Sequence, residues 1–224
     1  MELIASKIAK TYTRGTGKSC AFSAVQPTDL VLQPGKLIEI SGKSGSGKTT
    51  LLSILAGLLK PSEGEVILDG KSIYSLDDDN LSKLRNDYFG VIPQAPSILA
   101  SLSVAENVLL PLTLYKKINE NHYARRLLEM LDIYDLAYEM PTQLSGGQIK
   151  RIAIARALVT KPQFIFADEP TGDLDDENTR IVLDCLRQIA DEGASVLLVT
   201  HDIAAEHHED EMYTMKNGVL TRTK

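Results

Sequence analysis

Two kinds of hydrophobic run alternate along the chain. "KLIEIS" (residues 36–41), "FIFAD" (164–168) and "SVLLVT" (195–200) are short and apolar, with almost no polar alternation. Runs of this kind suit strands of a parallel sheet covered on both faces. "GEVILDG" (64–70), bracketed by turn glycines, and "YFGVIPQ" (88–94) read as further strands. "TTLLSILAGLL" predicts an apolar helix that stops at Lys60-Pro61. "NHYARRLLEMLDIYDLA" places Leu127, Leu128, Leu131 and Leu136 on one face, and "TRIVLDCLRQIA" has the spacing of an amphipathic helix.

Alternating strands and helices with buried strands predict an α/β fold with a wound, mainly parallel sheet. From about Ala95 to Val159 the pattern is helical, too long for one crossover, and reads as an inserted helical subdomain. The expected organisation is a single domain over 1–224, its core built from 1–94 and 160–224, with 95–159 as the helical subdomain. "ELIASKIAKTY" and "GEVILDG" are expected to form a small antiparallel β flank, and "TRGTGKSCAF" between them reads as loop.

Chemistry enters at the ends of the predicted strands. Gly42, Lys43, Ser44, Gly45, Ser46, Gly47, Lys48 and Thr49 fit G-x-x-x-x-G-K-[ST], after a strand and opening a helix. Such glycines let successive backbone N–H groups turn inward on phosphate oxygens, and the helix start adds its dipole. Lys48 brings a mobile positive charge for the outer phosphates, and Thr49 a hydroxyl for Mg2+. Asp168 and Glu169 end a strand at the carboxyl edge, where α/β sheets bind ligands. Asp168 suits Mg2+ coordination and Glu169 the polarising of an attacking water. Acids before Pro170 could also simply begin a turn; the phosphate loop favours the chemical reading. His201, directly after "VLLVT", is a candidate γ-phosphate contact. His207 and His208, in "EHHEDE", read as a solvated face and receive no role.

A second glycine pair lies in "LSGGQIKR" (144–151). Ser145 sits where an N-cap would, before a helix through "QIKRIAIARAL", and Gly146 and Gly147 remove side chains that would hinder close approach. This is another anion-receiving helix start.

Composition narrows the function classes. A net charge of −6 argues against a nucleic-acid surface and against direct docking on an anionic membrane. Cys20 and Cys185, far apart and without His or Cys at ligand spacing, read as reduced thiols. The longest apolar runs fall short of the ~20 residues of a spanning helix. "MELIASKIAKTY", with Glu2, Lys7 and Lys10, does not read as a signal peptide. The expected location is cytoplasmic, with another chain needed to bring the protein to a membrane.

Together with "LSGGQ", these motifs closely resemble, in order and over essentially the whole chain, the ATP-binding subunit of ABC transporters, built on a P-loop NTPase core. The resemblance implies ATP and Mg2+ as ligands. Tyr12 falls at the position that stacks on adenine, a surface aromatic being the alternative. Gly42 to Thr49, with Thr50, hold the phosphates. Gln94 is the Q-loop glutamine, joining the core to the helical lobe and sensing Mg2+. Ser145, Gly146, Gly147 and Gln148 belong to the signature, which serves the ATP held by a second copy. Asp168 is the metal ligand, with Thr49 and Gln94, and Glu169 the catalytic carboxylate. Thr171 to Asp175 form the D-loop, Asp175 being counted among the nucleotide contacts. His201 is the switch histidine.

The signature departs from the usual pattern at Ile149 and Lys150, where Gln residues are common, and Pro93 precedes Gln94 where an aromatic is frequent. The likeness is to the branch serving macrolide and peptide export, lipoprotein release and FtsX-like permeases. It implies a self-dimer and integral membrane permease subunits of the FtsX or MacB type, with no nucleic acid, and a chain ending too soon for a C-terminal regulatory domain. The implied function is an ATP-hydrolysing motor subunit driving a permease by ATP-dependent dimerisation, for export or extraction of a peptide, lipoprotein or antibiotic. The alternative is an ABC ATPase that signals through an FtsX-like partner without moving a substrate. A GTPase would need a guanine-reading Asn-Lys-x-Asp motif, which is absent; a small-molecule kinase would leave "LSGGQ" unused; DNA-repair relatives carry a coiled-coil insertion for which the chain has no room.

Overall fold

A computed structural model of the chain describes residues 1–13, 21–114, 121–201 and 209–224. In chain order its elements are β1 (Leu3–Thr13), β2 (Ala21–Leu32), β3 (Leu37–Ser41), α1 (Lys48–Leu55), β4 (Glu63–Leu68), β5 (Lys71–Ser72), α2 (Asp78–Tyr88) and β6 (Phe89–Ile92). There follow α3 (Val104–Leu114), α4 (Asn121–Met130), α5 (Gly146–Leu158), β7 (Phe164–Asp168), α6 (Asp176–Asp191), β8 (Ser195–Thr200), β9 (Glu211–Lys216) and β10 (Val219–Arg222).

One sheet runs β10-β9-β3-β8-β7-β6, parallel throughout except for the closing β9–β10 hairpin. The second runs β2-β1-β4-β5 and is antiparallel. Because side chains alternate across a strand, each apolar run feeds two cores. Phe164, Phe166, Leu197 and Val199 pack on the side of α1 and the antiparallel sheet. Ile165, Ala167, Val196 and Leu198 pack on the other side, with residues of α3 to α6. On the first face the Phe89 ring meets Phe164 and Phe166 edge-on, with centroids at 5.8 and 5.2 Å.

Several expectations change. The helix after the phosphate loop ends at Leu55, well before Lys60-Pro61. Gly57 has φ +67°, its N–H donates to the Ile54 carbonyl, and the Leu58 N–H reaches back to the Ser53 carbonyl. That pair of bonds is a Schellman stop, in which glycine takes the left-handed turn. The segment expected as loop before β2 is strand from Ala21 and Phe22 onward; 14–20, with Cys20, lie outside the described residues. α2 was not expected at all: it buries no residue fully, and its apolar face is only Leu81, Leu84 and Tyr88, half-buried against the core among mostly polar neighbours. Its start is local: the Asp77 side chain accepts from the Asn80 N–H at 2.8 Å, with Asp78 and Asp79 in the first turn.

The stretch 93–103 is not helical; α3 begins only at Val104. Its shape comes from Asn107, which is fully buried. The Asn107 amide accepts from the Leu99 N–H at 2.9 Å and donates to the carbonyls of Leu99, Leu102 and Ser103 at 2.9–3.0 Å. Asn107→Leu fits the space and removes those partners. We expect a loss of about 2–3 kcal/mol in urea unfolding, with faster protease cleavage near 99–103.

Candidate functional site

The loop 42–47 leaves β3 and enters α1 through a passage that admits no side chains at two points. Gly47 has φ +108°, and a Cβ there would lie 2.1 Å from the Ala24 carbonyl oxygen. A Cβ on Gly42 would lie 2.4 Å from the Met215 carbonyl oxygen. The loop is therefore wedged between β2 and the end of β9. The Gly218 N–H donates to the Ser46 carbonyl at 2.9 Å, and the Gln26 N–H to the Gly218 carbonyl at 2.8 Å. Lys43, Ser44 and Gly45 form the exposed crest; Thr50, partly buried, follows Thr49 in α1.

Three features suit this loop to an anion. α1 has no capping side chain, so its first N–H groups remain available. Ser46 Oγ is buried without a hydrogen-bond partner among the described residues. Lys48, 5% exposed, is held by the Gly42 and Lys43 carbonyls at 2.6 and 3.3 Å.

The neighbouring strands end beside it. Thr49 Oγ1 donates to Asp168 Oδ1 at 3.2 Å, a pair of hard oxygens from α1 and β7. Among the described residues no group of three or more His, Cys, Asp or Glu gathers as a metal cluster. One carboxylate and one hydroxyl beside a phosphate loop is the sparse donor set Mg2+ takes. Burial pushes the Asp168 carboxyl above the ordinary value; Thr49 opposes this, Glu169 adds to it, and Lys48 opposes it.

Glu169 lies one residue beyond β7 with φ +47°. A non-glycine residue there costs about 1–3 kcal/mol; the Glu169 N–H, bonded to the Val199 carbonyl at 2.9 Å, helps to hold it. Gln94 Nε2, just past β6, donates to Glu169 Oε2 at 2.7 Å. His201 Nδ1, just past β8, lies 2.9 Å from Glu169 Oε1. β6 and β8 thus each deliver one side chain to the carboxylate that follows β7, the strand between them.

The signature residues are elsewhere. Ser145 caps α5: its hydroxyl accepts from the Gln148 N–H at 3.3 Å, and Gln148 Oε1 accepts from the Ser145 N–H at 2.8 Å. Among the described residues, no hydrogen bond of Ser145 or Gln148 reaches 42–50. The two glycines differ. A Cβ on Gly147 would lie 3.3 Å from Leu174 Cδ2 of the same chain, whereas one on Gly146 meets nothing within 4 Å. Asp175 is not brought to the Glu169 group; it caps α6, accepting from the Asn178 N–H at 2.8 Å. Tyr12 is 40% exposed, cross-strand from Phe22, two residues from the Ala24 that abuts Gly47. The Lys10 ammonium lies 5.5 Å from the Tyr12 ring centre. His207 and His208 lie outside the described residues. Cys185 is buried, its thiol pushed up to about 12.

Sequence reasoning gave no site role to Lys150. It is 7% exposed and donates to the Gly172 carbonyl at 2.6 Å, between the signature helix and the loop after Glu169. The available signal was a charged residue one turn beyond Gly147, on the same helix face.

Comparison with known proteins places this geometry. Residues 25–172 match the family described as ABC transporter. The chain is 38% identical over 216 residues, 95% of its length and 93% of the relative's, to the lipoprotein-releasing system ATP-binding protein LolD of Hyphomonas neptunium. It is 38% identical over 198 residues to the macrolide export ATP-binding/permease protein MacB 2 of Aeromonas hydrophila, covering 88% of this chain but 31% of that protein. Among solved structures it matches the dimeric bacterial ABC transporter cassette MJ0796 with TM-score 0.87 and 34% identity, over 98% of both chains. A dimeric post-hydrolysis state of the ATP-binding cassette MJ0796 bound to ADP and Pi matches with TM-score 0.85 and 33% identity over the same shares.

The raised Asp168 carboxyl has a stability consequence. The folded chain holds that proton more tightly than the unfolded one, so stability falls as pH rises from 3.8 through the folded value. At pH 7 the ionised group destabilises the ligand-free fold. Asp168→Asn, which retains an acceptor for Thr49, should raise the ligand-free melting midpoint at pH 7; a lower midpoint would contradict this.

Proposed function

The chain belongs to the ABC transporter family of ATP-binding subunits, and from that premise we propose that it is the ATPase motor of a transporter of the LolD or MacB type. The observation that carries the detailed reading is the convergence of Gln94 and His201 on Glu169, beside the loop that holds Lys48. The backbone N–H groups of 42–49 and the Lys48 ammonium hold the ATP phosphates. On nucleotide binding Lys48 exchanges its loop carbonyls for phosphate oxygens, at little cost because it is already oriented. Tyr12 offers its ring to the base. Mg2+, held by Thr49 and Asp168 with Gln94 in reach, would neutralise phosphate charge. Glu169 accepts the proton of the attacking water, while Gln94 and His201 fix both its oxygens and contact the nucleotide side of the site.

Two copies complete the site. The capped start of α5 with its open Gly146 is shaped to receive an anion from outside the chain, and the dimeric assembly of related cassettes supports its being the phosphate of the partner's ATP. The helical lobe, 95–159, moves with that contact. A groove between β6 and the lobe, lined by Val91, Pro93, Pro111 and Arg156, is where a membrane permease would receive the motion. Among the described residues no helix is long and apolar enough to cross a membrane. The LolD and MacB likenesses support work at the cytoplasmic face through permease subunits, of the FtsX or MacB type. The LolD and MacB likenesses favour transport over signalling without a substrate.

Glu169→Gln should bind ATP but hydrolyse it about 10²–10⁴-fold more slowly and accumulate as an ATP-bound dimer; near-normal turnover would remove Glu169 from its role. Gly146→Glu should leave the fold and monomer ATP affinity intact, since among the described residues nothing lies within 4 Å of a Cβ there. By placing a carboxylate at an anion site it should abolish ATP-driven dimerisation in size-exclusion chromatography. Dimers formed as before would reject the shared-site reading.

A further inference from the structure

We propose that Lys150 is a positioning residue for hydrolysis, tying the signature helix to the loop that follows Glu169 so that α5 and the carboxylate keep a fixed relation. The inference rests on Glu169 being the carboxylate that acts on water.

Lys150 is an unusual occupant of its place. The buried face of α5 is otherwise made by Ile152, Ala153, Ile154, Ala155 and Leu158, with Arg151. Burying an ammonium is costly unless it is paired. Here its hydrogen bond is to the Gly172 carbonyl, at 2.6 Å. Burial depresses the Lys150 pKa, and the negative charges of Asp173 and Glu169 push the other way. A neutral aliphatic residue would fill the space without that penalty, so packing alone does not account for the charge.

The bond continues to the reacting group. The Gly172 N–H donates to the Glu169 carbonyl at 3.2 Å, closing a tight turn. A Cβ on Gly172 would lie 3.6 Å from Lys150 Nζ and 3.8 Å from Glu169 Cβ, so ammonium and glutamate flank the same residue. Glu169 is in the left-handed region and needs its turn held. One turn back on the same helix face, Gly147 abuts Leu174. α5 therefore grips 172–174 at two points, and of the two only Lys150 is polar and directional. Whatever displaces the start of α5, as an arriving anion would, reaches Glu169 through this clamp.

The test is steady-state ATP hydrolysis by the full chain carrying Lys150→Met, Lys150→Arg, Glu169→Gln, or Lys150→Met with Glu169→Gln. Lys150→Met should lower kcat about 10–100-fold, as misplacement of a reacting group does, with KM for ATP within about twofold. Lys150→Arg, which keeps a charged donor, should recover most of that loss. In the Glu169→Gln background Lys150→Met should change the residual rate by less than about twofold, because the group it positions is already gone. A Lys150→Met chain with the parental kcat overturns the proposal. So does a further loss of about tenfold on top of Glu169→Gln, which would mean an independent effect. Should Lys150→Met fail to fold, Lys150→Gln is read by the same criteria. Normal hydrolysis by Glu169→Gln alone would instead defeat the assignment of Glu169, an outcome distinct from any at Lys150.

Discussion

A parallel strand buried on both faces can present polar chemistry only where it ends. β7 and β8 are buried over their whole length, with one set of side chains in each core. Everything reactive in this molecule follows from that restriction. The phosphate loop leaves β3, Gln94 lies just past β6, Glu169 just past β7 and His201 just past β8, and these four strands are neighbours in the sheet. Hydrogen-bond register along the sheet thereby becomes registration of the reacting groups, without any long-range device.

The site so formed is not at rest in isolation. Ser46 Oγ is buried without a partner among the described residues, Asp168 is desolvated, and Glu169 sits in a backbone region that disfavours it. The first two are costs that phosphate or metal would reduce; the third is borne by the fold around Glu169. In the proposed role, ligand binding would stabilise the fold by mass action as well as by contact, while Gln94 and His201 already fix both oxygens of Glu169 in the ligand-free chain.

What could be read from the sequence divides by physical cause. β3, β7 and β8 were legible because uninterrupted apolar runs have few other homes. The phosphate loop and the acids after β7 were legible because their spacing is tied to a strand–turn–helix passage. α2 was not, since three half-buried apolar residues, Leu81, Leu84 and Tyr88, are a thin signal in a mostly polar helix. The early end of α1 was hidden by Leu58 and Leu59, which extend the apolar pattern past a glycine stop. That Gln94 and His201 meet on Glu169 could not be read from spacing along the chain; it depends on strand order. His201 was suggested by its place at a strand's end, Gln94 only by the family resemblance. Lys150 escaped because charged positions on helices are ordinarily solvated, and its burial depends on a loop more than twenty residues away.

The walls of the phosphate loop come from distant parts of the chain. Ala24 closes one side of Gly47, but Met215 and Gly218 supply the other side and the bond to Ser46. During synthesis the loop leaves the ribosome roughly 170 residues ahead of the residues that shape it, an interval on the order of ten to thirty seconds at ordinary elongation rates. Until then its glycines have no backbone to lean on. The loop thus takes its shape late relative to its own synthesis, and a nascent chain that has already formed most of its sheet still lacks the wall on which the proposed nucleotide site depends.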